Sequence, residues 1–440
     1  MRFRRILLAA AVAGCVLPPA GARAAGYGIY EQSAAVLGMA GAGTASVHDP
    51  SAVFFNPAAL MGIEGTRIYG GGSLLQPFTS FAGVAPHPGF GVTEEMKAQQ
   101  FYPPTAYFTH HFPTGWALGL GLNSPFGLGV DWKNPDQFTG RYIVARANLR
   151  TISSSLVAAH TLRPNLDIGF GGNLVYANVD LANREFVPKP GGGGGQVEVA
   201  NVDLTSDWTP GYAWNAALSW RPGTRMMWGW IPLPGKVGLT YRSRVILHVD
   251  GNVDITQIPT GDGTLDAVVA GQLPPDQAAS TVLRLPSIAA LGLAWSWGSA
   301  WTLESDAVFT EWSTFKDLPI YLERTPSANQ RIVESYDDSF QFRFGAERRG
   351  TAFTWRAGYY MDQAAAPTES VSPILPDADR QGATLGVGLG FGKDRRLSLD
   401  LYELALFVKN RKTEGVNRDG FEGEYKSYVN STGLSLAYRW

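Results

Sequence analysis

Over the last fourteen residues, 427–440, apolar and polar positions alternate without a break. Tyr428, Thr432, Leu434, Leu436, Tyr438 and Trp440 share one face, and Ser431, Gly433, Ser435, Ala437 and Arg439 share the other. Side chains of a strand point alternately to its two sides. One face here is greasy and ends on aromatics, as lipid and its water boundary demand, while the other is small and polar, as a barrel interior demands. The period recurs upstream. Trp116, Leu118, Leu120 and Leu122 alternate with Ala117, Gly119, Gly121 and Asn123, and Leu291, Leu293, Trp295 and Trp297 alternate with Gly292, Ala294 and Ser296. Tyr212, Trp214, Ala216, Leu218 and Trp220 form another such face, and between Leu385 and Gly392 every second residue is glycine. An edge strand of a soluble sandwich would also alternate, but not so often, nor with a terminal aromatic.

Taken together, these segments predict an all-β transmembrane fold. Strands are expected near 66–76, 101–112, 115–130, 141–162, 166–187, 208–221, 236–257, 281–297, 301–323, 336–348, 352–363, 380–392, 396–411 and 427–440. That is a 14-stranded antiparallel outer-membrane β-barrel, an even number as single-chain bacterial barrels have. Short links such as Arg163 to Asn165 and Lys393 to Arg395 belong on the periplasmic side. The long links 77–100, 188–207, 258–280 and 364–379 belong outside the cell, where loops carry function. Within them Asp266 to Gly271 reads as an apolar helical turn, and Gly191 to Gly195 as a hinge or close-contact segment.

The N-terminus supplies the export signal such a barrel needs. Arg2, Arg4 and Arg5 precede an apolar run from Ile6 to Leu17, and Ala22-Arg23-Ala24 suits a signal peptidase, so residues 1–24 read as a signal peptide. The run is too short to span a bilayer, and no later stretch is long and apolar enough for a membrane helix. Val12-Ala13-Gly14-Cys15 also resembles a lipoprotein box, but the apolar run continues past it. Cys15 is the only cysteine, so cleavage after residue 24 leaves no thiol for a disulfide, a nucleophile or a metal. Loss of four arginines takes the formal net charge from −2 to −6, which gives no reason to expect nucleic acid. The 52 glycines and 13 tryptophans fit a crowded inner wall and aromatic belts.

Residues 25–62 do not read as strand. Gly38, Ala40, Gly41, Ala42 and Gly43 are small and closely spaced, and Asp49-Pro50-Ser51 and Asn56-Pro57 are turn chemistry. A barrel of this width cannot be filled by its own side chains, so the segment is expected inside the lumen as an N-terminal plug, with the barrel proper at 63–440.

The runs Tyr30-Glu31-Gln32-Ser33-Ala34, Leu37-Gly38-Met39-Ala40-Gly41-Ala42-Gly43, Asp49-Pro50-Ser51 and Phe55-Asn56-Pro57-Ala58-Ala59-Leu60 resemble the plug of the long-chain fatty acid and aromatic hydrocarbon transporters of the outer membrane, the FadL/TodX family. Asn123-Ser124-Pro125-Phe126-Gly127 lies where such proteins bend their third strand. Tyr241-Arg242-Ser243 and Ile374 to Arg380 are similar to further family segments. The resemblance implies a plugged barrel that lets hydrophobic molecules diffuse inward, with Glu31, Gln32, Ser33, Asn56, Pro57 and Ala58 at the plug gate. It further implies a lateral exit at Asn123, Ser124, Pro125, Phe126 and Gly127.

The residues themselves agree with that use. Lipopolysaccharide keeps apolar solutes out of the outer leaflet, so they need a protein route with an apolar wall. Pro125 has no amide hydrogen and Gly127 no side chain, so strand three cannot keep a full ladder there. Alternation points Arg146, Arg150, Arg242, Arg244, Arg343 and Arg356 inward, with Glu304, Asp306, Glu347 and Asp400 as possible partners. An unpaired inward arginine would suit a carboxylate head group, and Arg242, Arg343 and Arg356 are the candidates. Greasy tails would need Leu37, Met39, Phe54, Phe55, Leu265, Val268 and Val269. The expected partners are thus fatty acids or hydrocarbons, outer-membrane lipid and lipopolysaccharide, and the barrel-assembly machinery through the C-terminal strand, around a monomer without cofactor or metal. Two enzyme-like readings are weak. The six histidines show no triad spacing, and Gly38 to Gly43 lacks the flanks of a phosphate loop. A general porin for hydrophilic solutes is the stronger rival and would have an open lumen.

Overall fold

The structure, a computed structural model, describes residues 26–190, 195–222, 227–228, 231–232 and 234–440. The signal peptide and its cleavage site, and glycines 191–194 of the expected hinge, lie outside the described residues. Fourteen antiparallel strands form one closed ring. In chain order they are β1 (Thr66–Gly83), β2 (Pro104–His111), β3 (Trp116–Asn123, continued by Gly127–Asp131), β4 (Arg146–Arg163) and β5 (Leu166–Pro188). Then come β6 (Gln196–Ser206 and Thr209–Trp220), β7 (Lys236–Arg242 and Val245–Gln257), β8 (Gln277–Leu285 and Ile288–Trp297) and β9 (Trp301–Thr310 and Asp317–Leu322). The ring is completed by β10 (Ser339–Arg349), β11 (Phe353–Asp362), β12 (Arg380–Phe391), β13 (Leu397–Val408) and β14 (Gly423–Arg439). β1 pairs with β14 from Arg67↔Arg439 to Gly83↔Gly423, which leaves no free edge. Among the described residues no helix is long and apolar enough to cross a membrane.

The alternation read from the sequence is the alternation of the wall. Ser431 and Ser435 are buried inside, while Leu434 and Leu436 are exposed outside. Where strands continue beyond the bilayer that signal fades. β1 runs to Gly83 and β6 starts at Gln196, so parts of the expected loops 77–100 and 188–207 are strand. Water bathes both faces there, and no lipid pattern is written into the residues. The same reason corrects Arg146 and Arg150. They stand on the outer face of β4, above the apolar band, where Arg146 pairs with Asp180 at 3.0 Å and Asp203 at 3.1 Å. Arg244 is also exposed rather than inward, because β7 breaks at residues 243–244 and resumes in the opposite phase, with Val245, Leu247 and Val249 buried.

Among the described residues three short α-helices precede or cap the ring: α1 (Ala34–Leu37), α2 (Ala52–Phe55) and, in the long loop after β7, α3 (Gly263–Gln272). The last is the expected helical turn. Asp262 caps it, accepting from the amides of Thr264 at 2.9 Å and Leu265 at 3.2 Å.

Candidate functional site

Residues 26–62 touch strands on every side of the ring. Inner-wall glycines make the approach possible. A Cβ on Gly238 of β7 would lie 2.1 Å from the Thr44 oxygen, one on Gly358 of β11 2.3 Å from the Met39 carbonyl carbon, and one on Gly386 of β12 2.7 Å from the Gly38 Cα. On β5, a Cβ at Gly169 would lie 2.5 Å from the Ala58 nitrogen. The glycine face seen in the sequence is therefore a seat for backbone.

Polar contacts fix the segment at several heights. Gly43 and Thr44 both donate their amides to Asp306 Oδ2 at 3.0 Å, and Ala45 and Ser46 donate theirs to Glu304 at 2.6 and 3.0 Å. These two carboxylates were expected to pair with arginines. Instead they serve four consecutive amides of the turn, as buried amides must be paired. Asn56 is fully buried. Its Nδ2 donates to Thr44 O at 2.6 Å and Leu218 O at 3.3 Å, and its Oδ1 accepts from the Ala58 amide at 3.0 Å. Pro57 follows at the start of a 3₁₀ turn, where a missing amide costs nothing. Ser33 caps α1, and burial pushes the Glu31 carboxyl above the usual carboxylate range. Glu304→Gln with Asp306→Asn removes the charge assistance to the turn 43–46, roughly 1.5 kcal/mol or more, so channel openings in planar bilayers should become about tenfold more frequent in a normally folded barrel.

β3 is interrupted where the sequence places the break. Asn123 pairs with Ser153, Gly127 pairs with Arg150, and residues 124–126 lie between the two ladders. The freed groups are taken up by the N-terminal segment. Ile29 N donates to Pro125 O at 2.9 Å, Gly127 N to Tyr27 O at 2.9 Å, and Gln32 Nε2 to Ser124 O at 2.9 Å. Thr151 Oγ accepts from Phe126 N at 3.1 Å, and Asn123 Nδ2 donates to Tyr107 Oη at 3.3 Å. Toward β2, pairing stops at Ala106↔Leu122. The Tyr27 ring packs edge-on against Phe126, Trp312 and Phe315. Close by, burial and the Asp419 carboxylate push the Glu334 carboxyl up to about 8.

The three candidate arginines part company. Arg242 stacks over the Phe54 ring at 4.1 Å and donates to Phe54 O at 3.0 Å. Arg343 lies over Tyr30 at 4.3 Å, donates Nη1 to Gly41 O at 2.9 Å, and keeps Nη2 buried without a partner. Both face one cavity of about 50 Å³ with Tyr30, Phe54, Phe55, Asn215 and Val308. Arg356 is already satisfied, with Glu347 at 2.7 Å and Asp400 at 2.6 Å, and so offers no free fork to a ligand. A larger cavity, about 380 Å³, opens in the upper wall. It is lined by Leu181, Phe186, Val202, Leu204, Val253 and Ile255 of the strands, with Val269 and Leu273 of α3 and the loop following it, and Glu185 is its one ionisable residue. Leu265 and Val268 do not line it. The helix turns Val269 inward and leaves Val268 half exposed, which a segment too short for a periodic pattern could not reveal. The upper wall of β5 to β7 was missed as a site for the same reason that its strand ends were missed.

A closed barrel with lipid-facing aromatics and a seated N-terminal segment defines an outer-membrane β-barrel. Residues 17–440 match the family described as outer membrane protein transport protein (OMPP1/FadL/TodX), and the chain belongs to that family. It is 23% identical over 464 residues to the long-chain fatty acid transport protein of Escherichia coli O6:H1, covering 99% of each chain. It is 24% identical over 484 residues to outer membrane protein P1 of Haemophilus influenzae, again covering 99% of each. Among solved structures it resembles a Pseudomonas aeruginosa FadL homologue, with a TM-score of 0.80, 22% identity and coverage of 94% and 100%. It also resembles the P. putida toluene transporter TodX, with a TM-score of 0.73, 14% identity and coverage of 93% and 99%. The protein is thus an outer-membrane transport protein.

Proposed function

We propose that the chain is a diffusion channel for long-chain fatty acids, closed by residues 25–62 as a plug and emptying sideways into the bilayer through the break in β3. The observation that carries this reading is the break itself. Its backbone groups are held by residues 27–32, so movement of the N-terminal segment and opening of the wall are one event. An apolar solute would settle in the upper cavity, pass along Phe54 and Phe55, and leave between β2 and β3 where no ladder joins them. The fatty-acid choice is supported by buried Arg343 and half-buried Arg242, two guanidiniums on one cavity with no carboxylate lining it.

Hydrocarbons are the second reading. They are favoured by the upper cavity, whose mostly apolar lining and single acidic residue give a carboxylate no cation to pair with. Pro125→Val with Gly127→Ala tests the exit. Val restores a donor and Ala crowds Ile29, whose Cδ1 would lie 2.6 Å from the new Cβ. Uptake of radiolabelled oleate should fall several-fold while oleate still co-purifies with the protein. Undiminished uptake with the strand shown continuous would remove the β3 route.

A further inference from the structure

β6 and β7 keep one register along their length, yet the ladder between them has a hole. Ser206 stands opposite Gly251 and Asn215 opposite Arg242, but no residue from 208 to 213 pairs with residues 244–249. The hole is bounded by two bonds, Asp207 N to Asp250 O at 3.2 Å and Ser243 N to Trp214 O at 2.9 Å. Each strand is meanwhile held from its other side, β6 by β5 and β7 by β8. The local chemistry matches that of the β3 break. Pro210 brings no amide, as Pro125 brings none, and Ser243 Oγ accepts from the Trp214 amide at 3.0 Å much as Thr151 Oγ accepts from Phe126.

The holes also overlap in depth, 124–126 lying about eight to ten residues from the strand end at Trp116 and 208–213 about seven to twelve from that at Trp220. Side chains alone shut the second one. A Cβ on Gly211 would lie 2.5 Å from Val245 Cγ1 and 3.1 Å from Leu247 Cδ2. On the outer face Tyr212 and Trp214 are 78% and 54% exposed to where lipid lies. Inside, Val245 and Ala213 share a small cavity with Pro125 and Phe126, so one interior point adjoins both holes.

We propose that the seam between β6 and β7 is a second side door, through which uncharged apolar solutes pass from the interior to the bilayer. The proposal rests on the channel reading above. Parting two paired strands in lipid strands an amide and a carbonyl at every step, which is costly. Here there are no ladder pairs to lose, and Val245 and Leu247, the side chains nearest Gly211, would swing aside.

The approach of Val245 Cγ1 to the Cβ position of Gly211 also supplies the test, since it puts a cross-link between 211 and 245 within reach. Cys15 is the only cysteine in the sequence, so Gly211→Cys with Val245→Cys gives one defined cross-link. Uptake of radiolabelled toluene by cells producing this variant is measured oxidised and after reduction, in the wild-type β3 background and with Pro125→Val, Gly127→Ala. The oxidised form should run at about half the reduced rate, as loss of one of two parallel gates requires, and combining it with the β3 closure should abolish uptake. Equal rates in the oxidised and reduced forms of a protein that takes up toluene would overturn the second door. No uptake even when reduced would remove the channel reading and the door with it. Should the double variant fail to fold on heat-modifiability gels, Gly211→Cys alone, reacted after folding with a bulky maleimide, is read in the same way.

Discussion

Deleting residues 26–43 should turn the barrel into an open pore. The ladder that closes the ring, β1 on β14, involves none of these residues, so the barrel should still assemble and still shift its mobility on heating. What is lost is the material in the lumen. α1, the glycine-seated stretch around Met39 and the contacts to the β3 break all leave together, while of the four amides on Asp306 and Glu304 only that of Gly43 goes and those of Thr44, Ala45 and Ser46 stay. A ring of fourteen strands is too wide for its own side chains to fill, so single-channel conductance in planar bilayers should rise by roughly tenfold or more. A large conductance already present in the intact protein, and unchanged by the deletion, would mean that the segment does not gate. The general porin would then be the better reading.

Oleate binding should depend on Arg242 and Arg343 and not on Arg356. A charge-assisted bond from a buried guanidinium to a carboxylate is worth roughly 1.5 to 3 kcal/mol, so Arg242→Ala or Arg343→Ala should weaken oleate binding by about ten- to a hundredfold. Toluene has no such bond to lose and should bind nearly as before. Arg343 is the sharper case, because its Nη2 is buried without a partner and is therefore poised to donate. Arg356→Ala should act differently. It strips Asp400 of its counter-charge in the buried wall and leaves Glu347 with Arg349 alone, so it should lower thermal stability and leave the ratio of oleate to toluene affinity unchanged. Titration calorimetry with both ligands separates these outcomes. Equal losses for oleate and toluene in the Arg242 and Arg343 variants would favour a hydrocarbon channel with a purely apolar selectivity.

The architecture was readable in the sequence because lipid writes a period of two into every strand it touches. β14 and the faces around Leu120 and Leu293 stand as that period requires, and the glycine face of β12 lies inward. The β3 break was readable for a different and equally local reason, since Pro125 cannot donate and Gly127 has no side chain. What stayed hidden depends on residues far apart in the chain. Nothing near Asp306 announces that it serves amides 262 and 263 positions away. Nor could alternation anticipate that β7 changes phase at residues 243–244, which turned Arg244 outward and left Arg242 facing in. Above the bilayer the two faces of a strand see the same water, so Gln196–Ser206 carried no strand signature, and Arg146 and Arg150 were placed on the wrong side.

Uptake by intact cells tests the central claim most directly. Cells lacking other routes for hydrophobic solutes are supplied with radiolabelled oleate and radiolabelled toluene, with and without this protein in the outer membrane. Passage of apolar molecules through the barrel predicts that the protein accelerates entry of at least one of them many-fold, while a small hydrophilic solute such as glucose enters no faster than before. Entry of glucose accelerated, with both apolar probes unchanged, would contradict the account.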